Sequence, residues 1–261
     1  MKQWNAVILA GDRGPSDPVA RAANVEGKAF AMLQDKTLME RVVSVLHESV
    51  YVNKIYTVGP KQGYLVKHPR IQSFLEKHAV HMVDPAAGPS ASAIKGVMQS
   101  AFYPTLLVTC DLALLNANLV DEYCVKMSQV EADFVACAVD YQQIHKKIPA
   151  LKKTQYHFDR QTVCFANVFS VLSASGLKAI EYWQDVEQSR KKPIELINKI
   201  DWLGVLKYKF GRLSLNQAAS RLSSKVGARL EIATMSQPEL AIDVDSAHDY
   251  RVIQDYLAGS Y

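Results

Sequence analysis

An α/β fold built on a mainly parallel sheet follows from three features of this 261-residue chain. Short apolar runs of strand length alternate with amphipathic stretches of helical period through its first half. The links between them are short. The first run, Ala6-Val7-Ile8-Leu9-Ala10, empties into a long loop carrying glycines and cations. Strand–helix alternation with short links specifies parallel strands joined by right-handed crossovers, with helices covering the sheet.

The strands are read at 5–10, 54–58, 80–83, 105–109 and 133–139, each apolar and β-branched enough to be buried on both faces. Helices are read between them at 37–48, 70–78, 90–101 and 117–129. The first is marked by a capping box, Thr37 with Glu40, and by Leu38, Val42, Val45 and Leu46 on one face. Residues 153–171 read as two strands. From 175 to 226 the pattern turns helical, with Arg190-Lys191-Lys192 ahead of Pro193, and a strand at 228–233 and a helix from about 247 close the chain. There is no repeat and no low-complexity linker, so residues 1–261 are read as one domain with a helical insertion at about 175–226.

The chain has 30 basic and 26 acidic residues, a formal charge of +4, and is 49% hydrophobic. That composition supplies a full core. It lacks the concentrated basic stripe of a nucleic-acid binder, so nucleic acid is excluded as partner. Cys110, Cys124, Cys137 and Cys164 form no C-x-x-C pair, which argues against zinc, and three of them fall in apolar surroundings and read as small buried fillers. No leader precedes the first strand, and no apolar run reaches the ~20 residues of a membrane span. A reduced, cytoplasmic protein is expected.

In a parallel sheet the ligand lies beyond the carboxyl ends of the strands. That rule gathers the 11–28, 84–90 and 110–116 loops on one rim. The first, with Gly11, Arg13, Gly14, Arg21 and Lys28, suits a polyphosphate, because glycines let backbone N–H groups approach oxygens while the cations balance charge. It is neither a Walker loop nor G-x-G-x-x-G. Asp111, in Thr109-Cys110-Asp111-Leu112, emerges from the end of a buried strand, where a carboxylate needs a cation; Mg²⁺ beside phosphate is the natural one. Asp243 and Asp245 alternate at strand spacing and could complete its shell, whereas Ser246 and Asp249 read as the capping box of the last helix. Gly88-Pro89-Ser90 opens a helix and could meet a base edge through its main chain.

Taken together these segments resemble the MobA-like nucleotidyltransferases. The family opening L-A-G-G-x-S/G-x-R-M-(x)-K is matched by Leu9-Ala10-Gly11-Asp12-Arg13-Gly14 and then Lys28, and its G-x-P-L-(I/L)-E-R-V by Asp35-Lys36-Thr37-Leu38-Met39-Glu40-Arg41-Val42. T-C-D-x-P-L-L is matched from Thr109 to Leu115, with Ala113 in place of proline, and the closing N/D-x-N/D-T-P-E-D-L by Asp243 to Tyr250. Asp12 replaces a glycine, and Pro15-Ser16-Asp17-Pro18 lengthens the loop.

The resemblance implies a three-layer Rossmann-like fold of the nucleotide-diphospho-sugar transferase type. It also implies transfer of a nucleoside monophosphate from an NTP, GTP or CTP foremost, to a phosphorylated small-molecule acceptor. Arg13, Arg21 and Lys28 would bind the triphosphate with Leu9, Ala10, Gly11 and Gly14. Gly88, Pro89 and Ser90 would read the base, Asp111 with Asp243 or Asp245 would hold Mg²⁺, and Asn167 would contact the acceptor. Two other readings stand beside it. One is a nucleotide-sugar glycosyltransferase, against which Ala113 breaks the D-x-D pattern; the other is a nucleotide-binding module without chemistry. The insertion's Tyr182, Trp183, Trp202 and Tyr208 would cover the acceptor, form a homodimer face, or pack as helical core.

Overall fold

A computed structural model describes residues 4–11, 14–189 and 202–259. The strands are β1 (Trp4–Leu9), β2 (Met32–Leu33), β3 (Lys36–Thr37), β4 (Val52–Val58), β5 (His81–Val83), β6 (Thr105–Thr109), β7 (Phe134–Asp140), β8 (Tyr156–His157), β9 (Thr162–Val171) and β10 (Leu230–Met235). The first five helices are α1 (Pro18–Ala23), α2 (Leu38–Glu48), α3 (Gln62–Leu65), α4 (Pro69–Lys77) and α5 (Pro89–Ser100). They are followed by α6 (Ala117–Met127), α7 (Tyr141–Lys147), α8 (Leu177–Ser189), α9 (Trp202–Lys209), α10 (Leu215–Val226) and α11 (Ala247–Leu257).

The main sheet runs β10-β7-β9-β6-β1-β4-β5, with β8 paired to β9. β1 is parallel to β4 and β6, β4 to β5, and β7 to β10. β9 runs antiparallel between β6 and β7. The reason is local. The chain leaves β7 at the carboxyl rim, makes only the short α7 and the β8 hairpin there, and never crosses the sheet. It therefore re-enters from the rim, running backwards.

Alternate residues of each strand serve opposite faces. Ala6, Ile8, Leu106 and Val108 join the larger core under α2, α4, α6 and α11, which contribute Leu38, Ile71, Tyr123 and Ile253. Val7, Val58 and Leu107 face the other way, onto Ala93 and Val97 of α5 and Ile180 of α8. A smaller cluster joins Ala138 and Val163 to Leu215 of α10. The result is a three-layer α/β sandwich, helices on both faces, as the sequence predicts.

Both capping boxes read in the sequence form. Thr37 Oγ1 accepts from Glu40 N while the Glu40 carboxylate accepts from Thr37 N, and Ser246 and Asp249 do the same at α11. A third, Ser214 with Gln217, starts α10. The insertion is helical over 177–189, 202–209 and 215–226; residues 190–201, with the basic run Arg190-Lys191-Lys192, lie outside the described residues, as does Trp202's side chain. Trp183 is 62% exposed, so it is not core. Tyr208 packs edge-on against Phe158 and its hydroxyl accepts from His157 N at 3.2 Å, covering the β8 turn.

Candidate active site

The carboxyl ends of β1, β4, β5 and β6 share one rim, tied strand to strand beyond the sheet. Ala10 N donates to Val58 O, Gly59 N to Val83 O, and Cys110 N to Leu9 O. The three loops expected there are therefore neighbours; Gly11 sits against Pro85, 3.9 Å from where its own Cβ would stand.

The long 11–28 segment is partly ordered structure. Asp17 accepts from Val19 N at 2.9 Å and Ala20 N at 3.2 Å, and Pro18 occupies the first turn, so α1 starts in what the sequence reading treats as an extended loop. Gly14, with φ of +62°, turns the chain just before it, and a Cβ there would stand 2.9 Å from the Tyr64 hydroxyl. Arg21, on α1, is exposed and has no ion-pair partner among the described residues. Arg13, with Asp12, lies outside the described residues. The segment ends in a single 3₁₀ turn, Lys28–Phe30, which carries the Lys28 side chain inward.

Lys28 is the centre of the site. Its buried ammonium bonds the Asp111 carboxylate and lies 2.9 Å from Asp245 Oδ1. Burial by itself would lower the lysine's pKa; the charges and hydrogen bonds of Asp111 and Asp245 outweigh that and hold it above the ordinary range. Asp111 stands two residues past β6 and accepts from Thr109 Oγ1 at 2.5 Å. Val244 N donates to Asp111 O at 3.1 Å, which brings the chain after β10 alongside and delivers Asp245. Burial would raise the Asp245 carboxyl; Lys28 instead pulls it below the usual range.

Asp243 and Asp245 lie on an extended segment rather than a strand, and take different partners. Asp243 bonds Lys153 Nζ and accepts from Asn167 Nδ2 at 2.6 Å. Lys153 Nζ also donates to the Asp243 carbonyl at 2.5 Å. Burial is the largest influence on Asp243 and lifts its pKa to about 6, with Lys153 opposing and the Asp111 and Asp245 charges adding to the rise. Asn167 reaches it because Val168 pairs with Val108, setting Asn167 one step nearer the rim. Asn167 thus joins the rim through Asp243, and Lys153, which sequence reasoning missed, is the charge partner of Asp243.

Among the described residues no three His, Cys, Asp or Glu side chains converge as a metal-holding group. The donor chemistry nevertheless suits Mg²⁺, which takes one or two carboxylates and completes its shell with water and phosphate oxygens. Asp111 and Asp245 supply hard oxygens on either side of a spot already held by a cation, Lys28 Nζ. Asp243 is committed to Lys153 and Asn167 instead. At the other end of the rim Gly88 caps α5, and Ser90, buried, donates from Oγ to Glu187 Oε2 at 2.8 Å.

The family model for the MobA-like NTP transferase domain matches residues 6–190. The chain belongs to this MobA-like family. Among solved structures, it is similar to a hypothetical transferase from Thermus thermophilus, with a TM-score of 0.76, 22% identity, and coverage of 96% of this chain and 100% of that one. It also resembles CMP:2-keto-3-deoxy-manno-octonic acid synthetase complexed with CTP (TM-score 0.59, 8% identity, all of both chains). A third neighbour is 4-diphosphocytidyl-2C-methyl-D-erythritol synthase from Anaerococcus prevotii (TM-score 0.58, 10% identity, 98% of this chain and 96% of that one). No curated protein matches the sequence. It has the Rossmann-like fold of these neighbours, and the family it belongs to is one of nucleotidyltransferases. Among the described residues no helix is long and apolar enough to cross a membrane.

Proposed function

We propose that this MobA-like chain moves a nucleoside monophosphate from an NTP, with GTP or CTP as the leading nucleotides, to a phosphorylated small molecule, releasing pyrophosphate. The observation that carries the reading is Lys28 lodged between Asp111 and Asp245 at the rim where the β1, β5 and β6 loops meet. The solved neighbour holding CTP and the one named for a diphosphocytidyl product support the substrate class.

The nucleotide's phosphates would run over Gly11 and Gly14, with Arg21 offering charge from the solvent side and Arg13 a further cation of the same sequence segment. Gly88, Pro89 and Ser90, with the loop end at Leu9 and Ala10, would line the base and sugar. Lys28 is a fixed cation, held charged by its two carboxylates, and would neutralise charge building on the α-phosphate and on the departing pyrophosphate. The acceptor's phosphate oxygen is already anionic and attacks the α-phosphorus in line; no general base is required. Asp111 and Asp245 would hold Mg²⁺, which when bound supplies Lewis-acid neutralisation between the phosphate oxygens. Asn167 and Asp243 would face the acceptor side.

Asp111→Ala tests this. It should lower nucleotidyl transfer, read as pyrophosphate release, by about 10²-fold or more, the scale of losing an electrostatic stabiliser. Near-normal turnover would remove Asp111 from the machinery. The base is settled by a thermal-shift panel of NTPs with Mg²⁺, in which a nucleotide at 100 times its Kd adds about 2.7 kcal/mol.

A further inference from the structure

A cavity of about 490 Å³ opens beside Asp245, lined by Lys152, Lys153, Thr154, Asp245 and His248 among others. None of its walls comes from the 11–28 or 84–90 loops, so it is not the space the nucleotide reading uses. It nevertheless meets that space at one point, because its wall residue Asp245 lies 2.9 Å from Lys28 Nζ. Its size is that of a pocket for a small organic ligand.

The chemistry of the walls points to an anion with a polar body. Lys153, its side chain 9% exposed, is fixed by the Asp243 carboxylate and carbonyl. Lys152 is exposed and has no hydrogen-bond or ion-pair partner among the described residues. Of the two wall carboxylates, Asp249 is spent capping α11, accepting from Asp245 N and Ser246 N, and Asp245 is bonded to Lys28. The cationic charge is therefore left facing the cavity uncancelled at Lys152. His248 Nε2 lies 3.0 Å from the Ala150 carbonyl and, since a carbonyl only accepts, donates to it, which leaves Nδ1 as the ring's remaining polar atom for a ligand hydroxyl. Thr154 adds a second hydroxyl partner.

We infer that this cavity is the acceptor subsite, that it takes a hydroxylated phosphate monoester, and that Lys152 and Lys153 hold its phosphate; this rests on the nucleotidyl-transfer reading above. Bound there, the monoester faces Lys28 across Asp245. A lone pair of its phosphate oxygen forms the new P–O bond to the nucleotide's α-phosphorus. The α–β anhydride bond breaks, pyrophosphate leaves with that electron pair, and the product is a diphosphate diester. No proton and no redox equivalent is exchanged. Lys152 and Lys153 position the nucleophile and do not touch the leaving group.

The test titrates the full-length protein with glycerol 3-phosphate and with inorganic phosphate, followed by ³¹P line broadening, with and without GTP or CTP. Two substitutions at exposed positions are compared with wild type, Lys152→Glu and Thr154→Trp. The wild-type protein should bind the monoester saturably. Lys152→Glu should weaken that binding at least about tenfold, the scale of losing a charge-assisted hydrogen bond, and leave nucleotide affinity within about twofold. Thr154→Trp should weaken glycerol 3-phosphate more than inorganic phosphate, because it fills the space of the ligand's body. Monoester binding unchanged in both variants, or absent from a wild-type protein that binds nucleotide, overturns the inference. So does an equal loss of nucleotide and monoester in Lys152→Glu, since the cavity would then serve the triphosphate. Failure of every nucleotide to bind sinks the functional reading instead, and the monoester arm still decides whether the cavity is an anion site.

Discussion

Glu40 has a side chain only 4% exposed, yet it stays a carboxylate because two groups receive it. Burial would raise its pKa; the Thr37 N–H and the Arg70 guanidinium, at 2.8 Å from both its oxygens, pull it below the usual 4.5. A carboxyl with a depressed folded pKa contributes stability that is complete above its unfolded pKa and lost as pH falls through the folded one. Glu40→Ala should therefore cost about 1–2 kcal/mol at pH 7. In urea melts the gap to wild type should close as the pH drops below 4.5; a gap of constant size would assign the effect to packing alone. The thiols give a second check at this scale. Burial pushes Cys124 and Cys137 up to about 12 and Cys164 to about 11, and Cys110 is buried too. An aromatic disulfide reagent should find no reactive thiol in the folded chain and four after denaturation. Single residues were legible in the sequence when they ended strands or opened helices. Asp111 follows an unbroken apolar run, and Thr37 with Glu40 has a fixed spacing. Lys153 has neither signal. It is one lysine in an irregular connection, and only the fold brings it from 90 residues away to Asp243.

Among elements, α5 and its contact with the sheet show where packing overrules propensity. Gly96 lies inside this helix, and alanine there would gain about 1 kcal/mol of helix propensity. The added Cβ would stand 2.6 Å from Cγ1 of Val7 and 2.6 Å from Cγ2 of Val58. Both valines are fully buried, and a β-branched side chain has no easy alternative rotamer. Overpacking of this kind costs about 1–3 kcal/mol. Gly96→Ala should therefore be destabilising by about 1 kcal/mol net in chemical denaturation, and a more stable variant would mean that α5 can lift from the sheet. The elements read from the sequence, β1, β4, β5, β6 and β7 with α2, α4, α5 and α6 among them, were those with an apolar run of strand length or a full helical period. α1 was passed over because its six residues are too few to display a period, although Asp17-Pro18 carries the start signal. The last strand stands at 230–235 rather than 228–233, since the turn at Gly227 extends through Arg229, whose carbonyl accepts from Asp133 N and Phe134 N.

For the molecule as a whole, strand order could not be read from the sequence. β9 looks like any apolar run, and its insertion between β6 and β7 depends on the chain never crossing the sheet after β7. That insertion sets Asn167 beside the rim, so the Asn167–Asp243 side of the candidate site depends on topology while the Lys28–Asp111 side follows from motif order. The core is distributed just as unevenly. One cluster runs from Trp4 to Ile253 and joins both chain ends to the central strands. Among its described side chains α9 contributes almost nothing to any core, with Leu203 45%, Val205 52% and Leu206 44% exposed. Local opening is cheapest where buried apolar contact is least. In native-state hydrogen exchange, amides of β1, β6 and α2 should open only with global unfolding and follow its denaturant dependence. Those of α9 should exchange through a local opening that denaturant hardly affects. Equal protection in α9 and β1 would mean that its apolar face is covered in solution, and a rise in α9 protection with protein concentration would locate that cover in a second copy of the chain.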